Sequence, residues 1–397
     1  MIMEPKNWNV YLFRDILERV EVPVNVESNK EYVQIGIRSH GKGLFYKEPV
    51  LGKALGNKQV FWIQPNCFIL NVVFAWEQAI TKTTENELGM IGSHRFPMYR
   101  PKNDLVDIDY LIYYFLTKRG TDILEAASPG GAGRNRTLGQ ERFLKSKITL
   151  PPLPEQQKIA TILSTQDKVI ELKEKLLAQK QQQKKYLMQQ LLTGKKRLPG
   201  FDRKWNYVKA NEIFKSIVDK SHGGKLEVLS STQDKGIVPR SQVDIDIKYD
   251  ENSLSTYKKV CEGDFVISLR SFQGGIEYSN YAGIVSPAYT VLRAIVKIDA
   301  GYYKQFFKSS NYIKRLNVAV YGIRDGKQIS YDDFGQIKIP VPPIEEQREV
   351  AKILSTADHE IDLLQKSIEA EKQKKKALMQ LLLMGKARVE DEQRQDG

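Results

Sequence analysis

The stretch that decides the fold is PPLPEQQKIATILSTQDKVIELKEKLLAQKQQQKKYLMQQLLTGKKR, residues 151–197, because the chain carries it twice. The second copy, PPIEEQREVAKILSTADHEIDLLQKSIEAEKQKKKALMQLLLMGKAR, occupies residues 342–388. Laid over one another without a gap, Pro151 falls on Pro342, Glu155-Gln156 on Glu346-Gln347, Ile162-Leu163-Ser164-Thr165 on Ile353-Leu354-Ser355-Thr356, Asp167 on Asp358, and Gly194-Lys195 on Gly385-Lys386. Roughly half the positions are identical, so an internal duplication sets the architecture.

Each copy reads as one long helix. A Pro-Pro pair opens it, where a fixed φ and a missing N–H do no harm, and Gly194 or Gly385 stands where a helix takes its left-handed stop. Apolar residues keep a three-four spacing between these ends. Ile159, Leu163, Ile170, Leu177, Leu187 and Leu191 fall on one seam, and Val350, Leu354, Ile361, Leu364, Ile368, Leu378 and Leu382 on its counterpart. The seam turns polar near Lys180 to Lys185 and near Glu371 to Lys376. About forty residues at 1.5 Å each make a rod of roughly 60 Å, which needs a partner for its stripe. The other copy is the natural partner, and the chain order then predicts an antiparallel pair in a pseudo-two-fold molecule.

A chain of 397 residues, 41% apolar and 10% aromatic, allows two or three domains with real cores. Its 61 basic against 48 acidic residues leave a formal charge of +13, which favours a polyanionic partner, nucleic acid first. Cys67 and Cys261 lack CxxC spacing, so neither a disulfide framework nor a zinc site is expected, and a reducing cytoplasm fits. The start, MIMEPKNWN, has no signal pattern, and polar residues break the most apolar run, residues 60–76, so no membrane span is expected.

Residues 1–150 form the first globular segment, with β-type runs such as 32–37 and 68–74 and a helix over 109–118. Residues 198–341 form the second, with strands near 264–269 and 289–296 and a helix near 302–307. The long helices take 151–197 and 342–389, and 390–397 is a polar tail. The globular segments echo one another. Trp8-Asn9 corresponds to Trp205-Asn206, SHRFPMYR (93–100) to SPAYTVLR (286–293), and residues 131–143 align ungapped with 322–334. One frame carrying two sets of exposed residues suits a protein that reads two different short sequences.

A PLPEQ-type opening before a long Gln/Lys-rich helix ending in LMQQLLTGKKRLPGF, repeated as PPIEEQ through LMQLLLMGKAR, resembles the specificity subunit of a type I restriction-modification enzyme. The resemblance covers essentially the whole chain. It implies an α+β architecture with two mixed α/β target recognition domains separated by two long helices that form an antiparallel coiled coil. It also implies a bipartite double-stranded DNA site and assembly with two methyltransferase subunits and two ATP-driven motor-nuclease subunits. S-adenosylmethionine, ATP and magnesium would belong to those partners, whose activities are adenine-N6 methylation and cleavage.

Nothing in the chain itself reads as chemistry. There is no phosphate-cradling G-x-x-x-x-G-K-[ST] loop, no Asn-Pro-Pro-aromatic run for a flipped adenine and no glycine fingerprint for S-adenosylmethionine. His40, His94, His222 and His359 are dispersed. Direct readout needs Arg, Lys, Asn or Gln on base edges, while phosphate contacts position the protein. In the first segment the candidate DNA-binding residues are Arg95, Arg100 and Lys102, then Arg134, Asn135 and Arg136 beside turn-forming Gly130, Gly131 and Gly133. In the second they are Arg270, Gln273, Arg324, Lys327 and Gln328. A non-catalytic coiled-coil adaptor spacing two protein-binding domains is the alternative, which the divergent duplicated domains and the +13 charge disfavour.

Overall fold

The computed structural model describes residues 7–56, 58–130, 136–233, 235–243, 251–269, 271, 275–320 and 329–389. It divides into two compact units, Met1–Lys173 with Ser367–Gly397, and Glu174–Lys366.

The first unit runs β1 (Asn9–Leu12), β2 (Leu17–Val20), β3 (Phe68–Leu70), β4 (Ile80–Lys82), β5 (Met98–Pro101), α1 (Ile108–Phe115), α2 (Lys118–Ala127), α3 (Gln140–Lys145) and β6 (Lys147–Leu150). It then enters the long helix α4 (Leu153–Leu191). Its centre is an antiparallel sheet of order β2-β5-β3-β4, and β1 closes on β6 with Asn9 opposite Leu150. All of β3 is buried, so its FIL reads as a continuous apolar run rather than an alternating one. Asp107 caps α1 by accepting from the Tyr110 N–H at 2.8 Å, and Tyr110, Leu111, Tyr114 and Phe115 turn one face into the core. There Phe13 lies 4.7 Å from Phe143, and Phe68 lies 5.5 Å from Phe115.

The second unit repeats this order as β7 (Asn206–Lys209), β8 (Phe214–Ile217), β9 (Phe265–Ile267), β10 (Glu277–Tyr278), β11 (Thr290–Ala294), α5 (Ala300–Phe307), α6 (Ser310–Val320), α7 (Tyr331–Gln336) and β12 (Lys338–Val341). The long helix α8 (Ile344–Leu382) follows. The sheet order is β8-β11-β9-β10, β7 pairs with β12, and Asp299 caps α5 as Asp107 caps α1. Phe214 gathers Phe265, Tyr303 and Phe307 within 5.5 Å. Aromatic contacts of this kind contribute about 0.5–1.5 kcal/mol each beyond their buried area.

The boundary between units falls inside both long helices, so each unit holds the start of one and the end of the other. In the first unit Ile159 and Leu163 of α4 share a core with Leu382 and Leu383. In the second, Val350 and Leu354 of α8 share a core with Leu191 and Leu192. Within each unit the two helix segments are antiparallel, because their pairs run in opposite numerical directions. Asp167 pairs with Lys375 and Lys173 with Glu371, while Lys180 pairs with Glu360 and Lys184 with Asp358. The polar interruptions of the seam are therefore cross-helix ion pairs and not gaps in the packing.

The repeated Glu-Gln pair ties each helix start to its unit. Gln156, fully buried, donates to the carbonyls of Pro151 and Leu105 and accepts from the Asp107 N–H at 3.0 Å, so it links the helix start to the cap of α1. Gln347 does the same through Pro342 and Asp299. The preceding glutamate holds the end of the other copy. Glu346 accepts from Arg197 at 2.7 Å through both oxygens and from Trp205 Nε1 at 2.8 Å, and Glu155 accepts from Arg388 at 2.8 Å through both oxygens. Gly194 and Gly385, with φ of +69° and +66°, make the left-handed turns that swing these arginines back.

Glu346 is fully buried, so Arg197→Leu should destabilise the second unit by about 3–5 kcal/mol by leaving a buried carboxylate unpaired, while adding Glu346→Leu should recover much of the loss. Hydrogen exchange across residues 344–366 reads both effects. In the first unit, hydrogen bonds from Lys173 and Gln166 hold the Glu371 carboxyl below the ordinary glutamate value of 4.5. A depressed carboxylate stabilises the fold above its unfolded pKa and loses that effect as pH falls through its folded one. Glu371→Gln should therefore lower the stability of this unit at neutral pH, and the gap to the natural protein should close on acidification below 4.5, as pH-resolved thermal melts would record.

Candidate nucleic-acid interface

The two sheets share one register, and that register places one arginine in each unit. With Tyr99 opposite Phe68, Arg100 of β5 stands opposite Cys67. With Leu292 opposite Phe265, Arg293 of β11 stands opposite Asp264. Arg293 donates to the buried Asp264 at 2.8 and 2.6 Å, a two-pronged pair that raises the arginine's pKa further. Arg100 meets a thiol instead. Burial pushes the Cys67 thiol up, and the nearby Arg100, through its charge and a side-chain hydrogen bond, offsets only part of that, so the thiol stays neutral and cannot balance the guanidinium charge. Arg100 is exposed, and among the described residues Glu18, its paired neighbour on β2, makes no ion pair with it. The same strand position is thus neutralised by the scaffold in the second unit, while in the first it is exposed and keeps its charge.

Of the other candidate residues, Arg95 and Arg136 border one stretch. Arg95 sits exposed in a turn closed by the Phe96 N–H donating to the Ser93 carbonyl, and its own carbonyl accepts from the Val72 N–H. The Val72 carbonyl accepts from Leu138, and the Arg136 guanidinium lies 5.5 Å from the centre of the Trp76 ring. Residues 72–76 therefore connect the two arginines, and the Trp76 indole is itself fixed by a 3.1 Å bond to the Val73 carbonyl. Lys102 lies past the other end of β5 and is engaged by the scaffold. Its ammonium donates to the Arg14 carbonyl at 3.1 Å, and its N–H donates to Ile16. Arg134, Asn135, Arg270, Gln273, Arg324, Lys327 and Gln328 lie outside the described residues, as do Gly131 and Gly133. The sequence reading missed the Arg293–Asp264 pair. Its signal was the match of SHRFPMYR to SPAYTVLR, which already set Arg293 on Arg100.

Among the described residues no group of His, Cys, Asp and Glu could hold a metal ion, and no helix is long and apolar enough to cross a membrane. The type I restriction modification DNA specificity domain matches the chain twice, over residues 27–181 and 202–372. The chain belongs to this family. It is 26% identical to the type I restriction enzyme MjaVIII specificity subunit of Methanocaldococcus jannaschii, over 98% of this chain and 94% of that one. Its fold is similar to that of the HsdS subunit from Thermoanaerobacter tengcongensis, with a TM-score of 0.55 at 20% identity, covering 97% of this chain and 98% of that one. It is also similar to the type I restriction-modification S subunit from M. genitalium, with a TM-score of 0.56 at 14% identity and coverage of 96% and 99%. As a type I specificity protein with two recognition domains, the chain has the organisation that bipartite target recognition needs.

The paired strand positions separate scaffold from surface in one comparison. Arg293→Ala should cost about 3–5 kcal/mol of stability in the second unit, since it strands a buried carboxylate. Arg100→Ala should stay within about 0.5 kcal/mol. Urea unfolding of the two variants measures the difference.

Proposed function

We propose that this specificity subunit addresses a methylation and cleavage assembly to a bipartite duplex, with each recognition domain reading one half-site. The observation that carries this reading is the duplicated frame with unlike surfaces, in which the helix-borne contacts match while Arg293 is neutralised by Asp264 and its counterpart Arg100 keeps its charge exposed. Arg95, Arg100 and Arg136 are the described side chains offered to DNA in the first unit. Arg134, Asn135, Arg270, Gln273, Arg324, Lys327 and Gln328 would join them from the loops, and Lys102 would act by holding its loop. The chain has no catalytic step of its own in this reading. Two methyltransferase subunits would supply adenine-N6 methylation from S-adenosylmethionine, and two motor-nuclease subunits would supply ATP- and magnesium-dependent cleavage, all in the cytoplasm.

Transplanting residues 199–340 from a relative of different specificity tests modularity. The expected result is a methylated motif altered in one half only, read by sequencing the modified bases of a host carrying the hybrid. A change in both halves at once would defeat independent reading, and unaltered methylation would favour the adaptor alternative.

A further inference from the structure

Each unit carries an open cleft where the end of a long helix faces the junction of two shorter helices and the start of the second of them. In the first unit the cleft holds about 700 Å³ between residues 372–386 and residues 116–119. In the second it holds about 850 Å³ between residues 181–195 and residues 308–315. On the long-helix side the two walls share five matched positions, Lys184-Lys185, Met188-Gln189 and Lys195 in one, and Lys375-Lys376, Met379-Gln380 and Lys386 in the other. Among the described residues no Asp or Glu lines either cleft.

Part of this charge is already answered. Lys184 pairs with Asp358, Lys375 with Asp167, Lys308 with Glu277 and Lys118 with Asp122. Arg119, Lys376 and Lys386 in the first cleft, and Lys185, Lys195, Lys314 and Arg315 in the second, make no ion pair among the described residues. These cations are spread along two facing walls and do not converge on a point, which suits a chain of anions better than a single small one.

We propose that the two clefts grip the phosphate backbone of the duplex, adding affinity that is indifferent to sequence. This rests on the DNA-reading function above. The choice of DNA over an acidic protein segment follows from the lining. Cores of protein interfaces are enriched in aromatic residues and depleted in Lys and Ser. Among the described residues these walls carry no Phe, Tyr or Trp; the second is built of Lys, Arg, Gln, Ser, Thr and Asn around one methionine, the side chains that contact phosphate and sugar, and the first adds Leu116 and a second methionine to a similar basic lining. The repeat points the same way: five long-helix positions are identical between the clefts and the facing walls keep a basic character, as is needed for a feature that every duplex presents.

The test uses the full chain in complex with its methyltransferase, with target and scrambled duplexes titrated across salt concentrations. Arg119→Gln/Lys376→Gln/Lys386→Gln should make the dependence of log affinity on log salt shallower by about two to three, at roughly 0.9 per phosphate released. Lys185→Gln/Lys195→Gln/Lys314→Gln should do the same. Both duplexes should weaken by the same factor, the methylated motif should stay unchanged, and Lys376→Arg/Lys386→Arg should keep the natural slope. If the natural complex shows a steep slope and both triple variants retain it, the clefts do not grip DNA although DNA reading stands. Variants that lose the methyltransferase while their slope is unchanged would assign the clefts to a protein partner and overturn the proposal. A natural complex without salt-dependent DNA binding would instead remove the functional reading on which it rests.

Discussion

A carboxylate taken out of water must be neutralised and hydrogen-bonded, or the fold around it is lost. Glu155 and Glu346 impose that requirement at the first turn of each long helix. Each is met by an arginine from beyond the glycine that ends the other copy, Arg388 for Glu155 and Arg197 for Glu346. The pairing brings together residues 233 and 149 positions apart. Closing such loops costs chain entropy, which the surrounding apolar contacts offset: Leu382 and Leu383 bury against Ile159 and Leu163, and Leu191 and Leu192 against Val350 and Leu354. The first unit is consequently incomplete until the end of α8 is present. The two clamps are also not identical. Trp205 donates its indole N–H to Glu346, whereas the Trp8 indole nitrogen is buried without a partner among the described residues.

The long helices were legible because Pro-Pro, a three-four seam and a terminal glycine all point to one conformation. The elements they carry were harder to read. Strands of three or four residues, such as FIL in β3 or FVI in β9, are buried on both faces and show no alternation, so their existence could be read but their pairing could not. The predicted strand over 68–74 ends at Leu70, because Asn71 begins a turn in which its side chain accepts from the Val73 N–H. The Glu-Gln pair was visible only as a repeated letter pattern. Its role depends on a cap residue nearly fifty positions earlier, Asp107 or Asp299, which no local window contains.

The candidate site divides along similar lines. Choosing Arg and Lys in loops identifies chemistry that can meet DNA, but not which side chains the scaffold has already engaged. Lys102 has the right chemistry and is held by Arg14 and Ile16. Arg136 has it too, and its guanidinium lies over the Trp76 ring at cation–π distance, a contact that positions the group rather than removing it. The difference lies in long-range geometry that sequence spacing does not contain.

Position 100 and its counterpart 293 show how one frame yields two surfaces. The helices, caps and clamps repeat because each is fixed by contacts that any change would break, such as a buried glutamine with both its donor and acceptor atoms engaged. On the strands a single cross-strand substitution is enough to alter what is presented. An aspartate opposite the arginine neutralises the guanidinium and locks it into the scaffold, and a cysteine in the same place leaves its charge unneutralised. Both choices are compatible with the sheet, since Asp264 is neutralised and Cys67 is a small, neutral thiol that also accepts burial. Divergence of recognition can therefore proceed one opposed pair at a time without disturbing the core, which is the physical condition for two readers to share a scaffold and still differ in what they read.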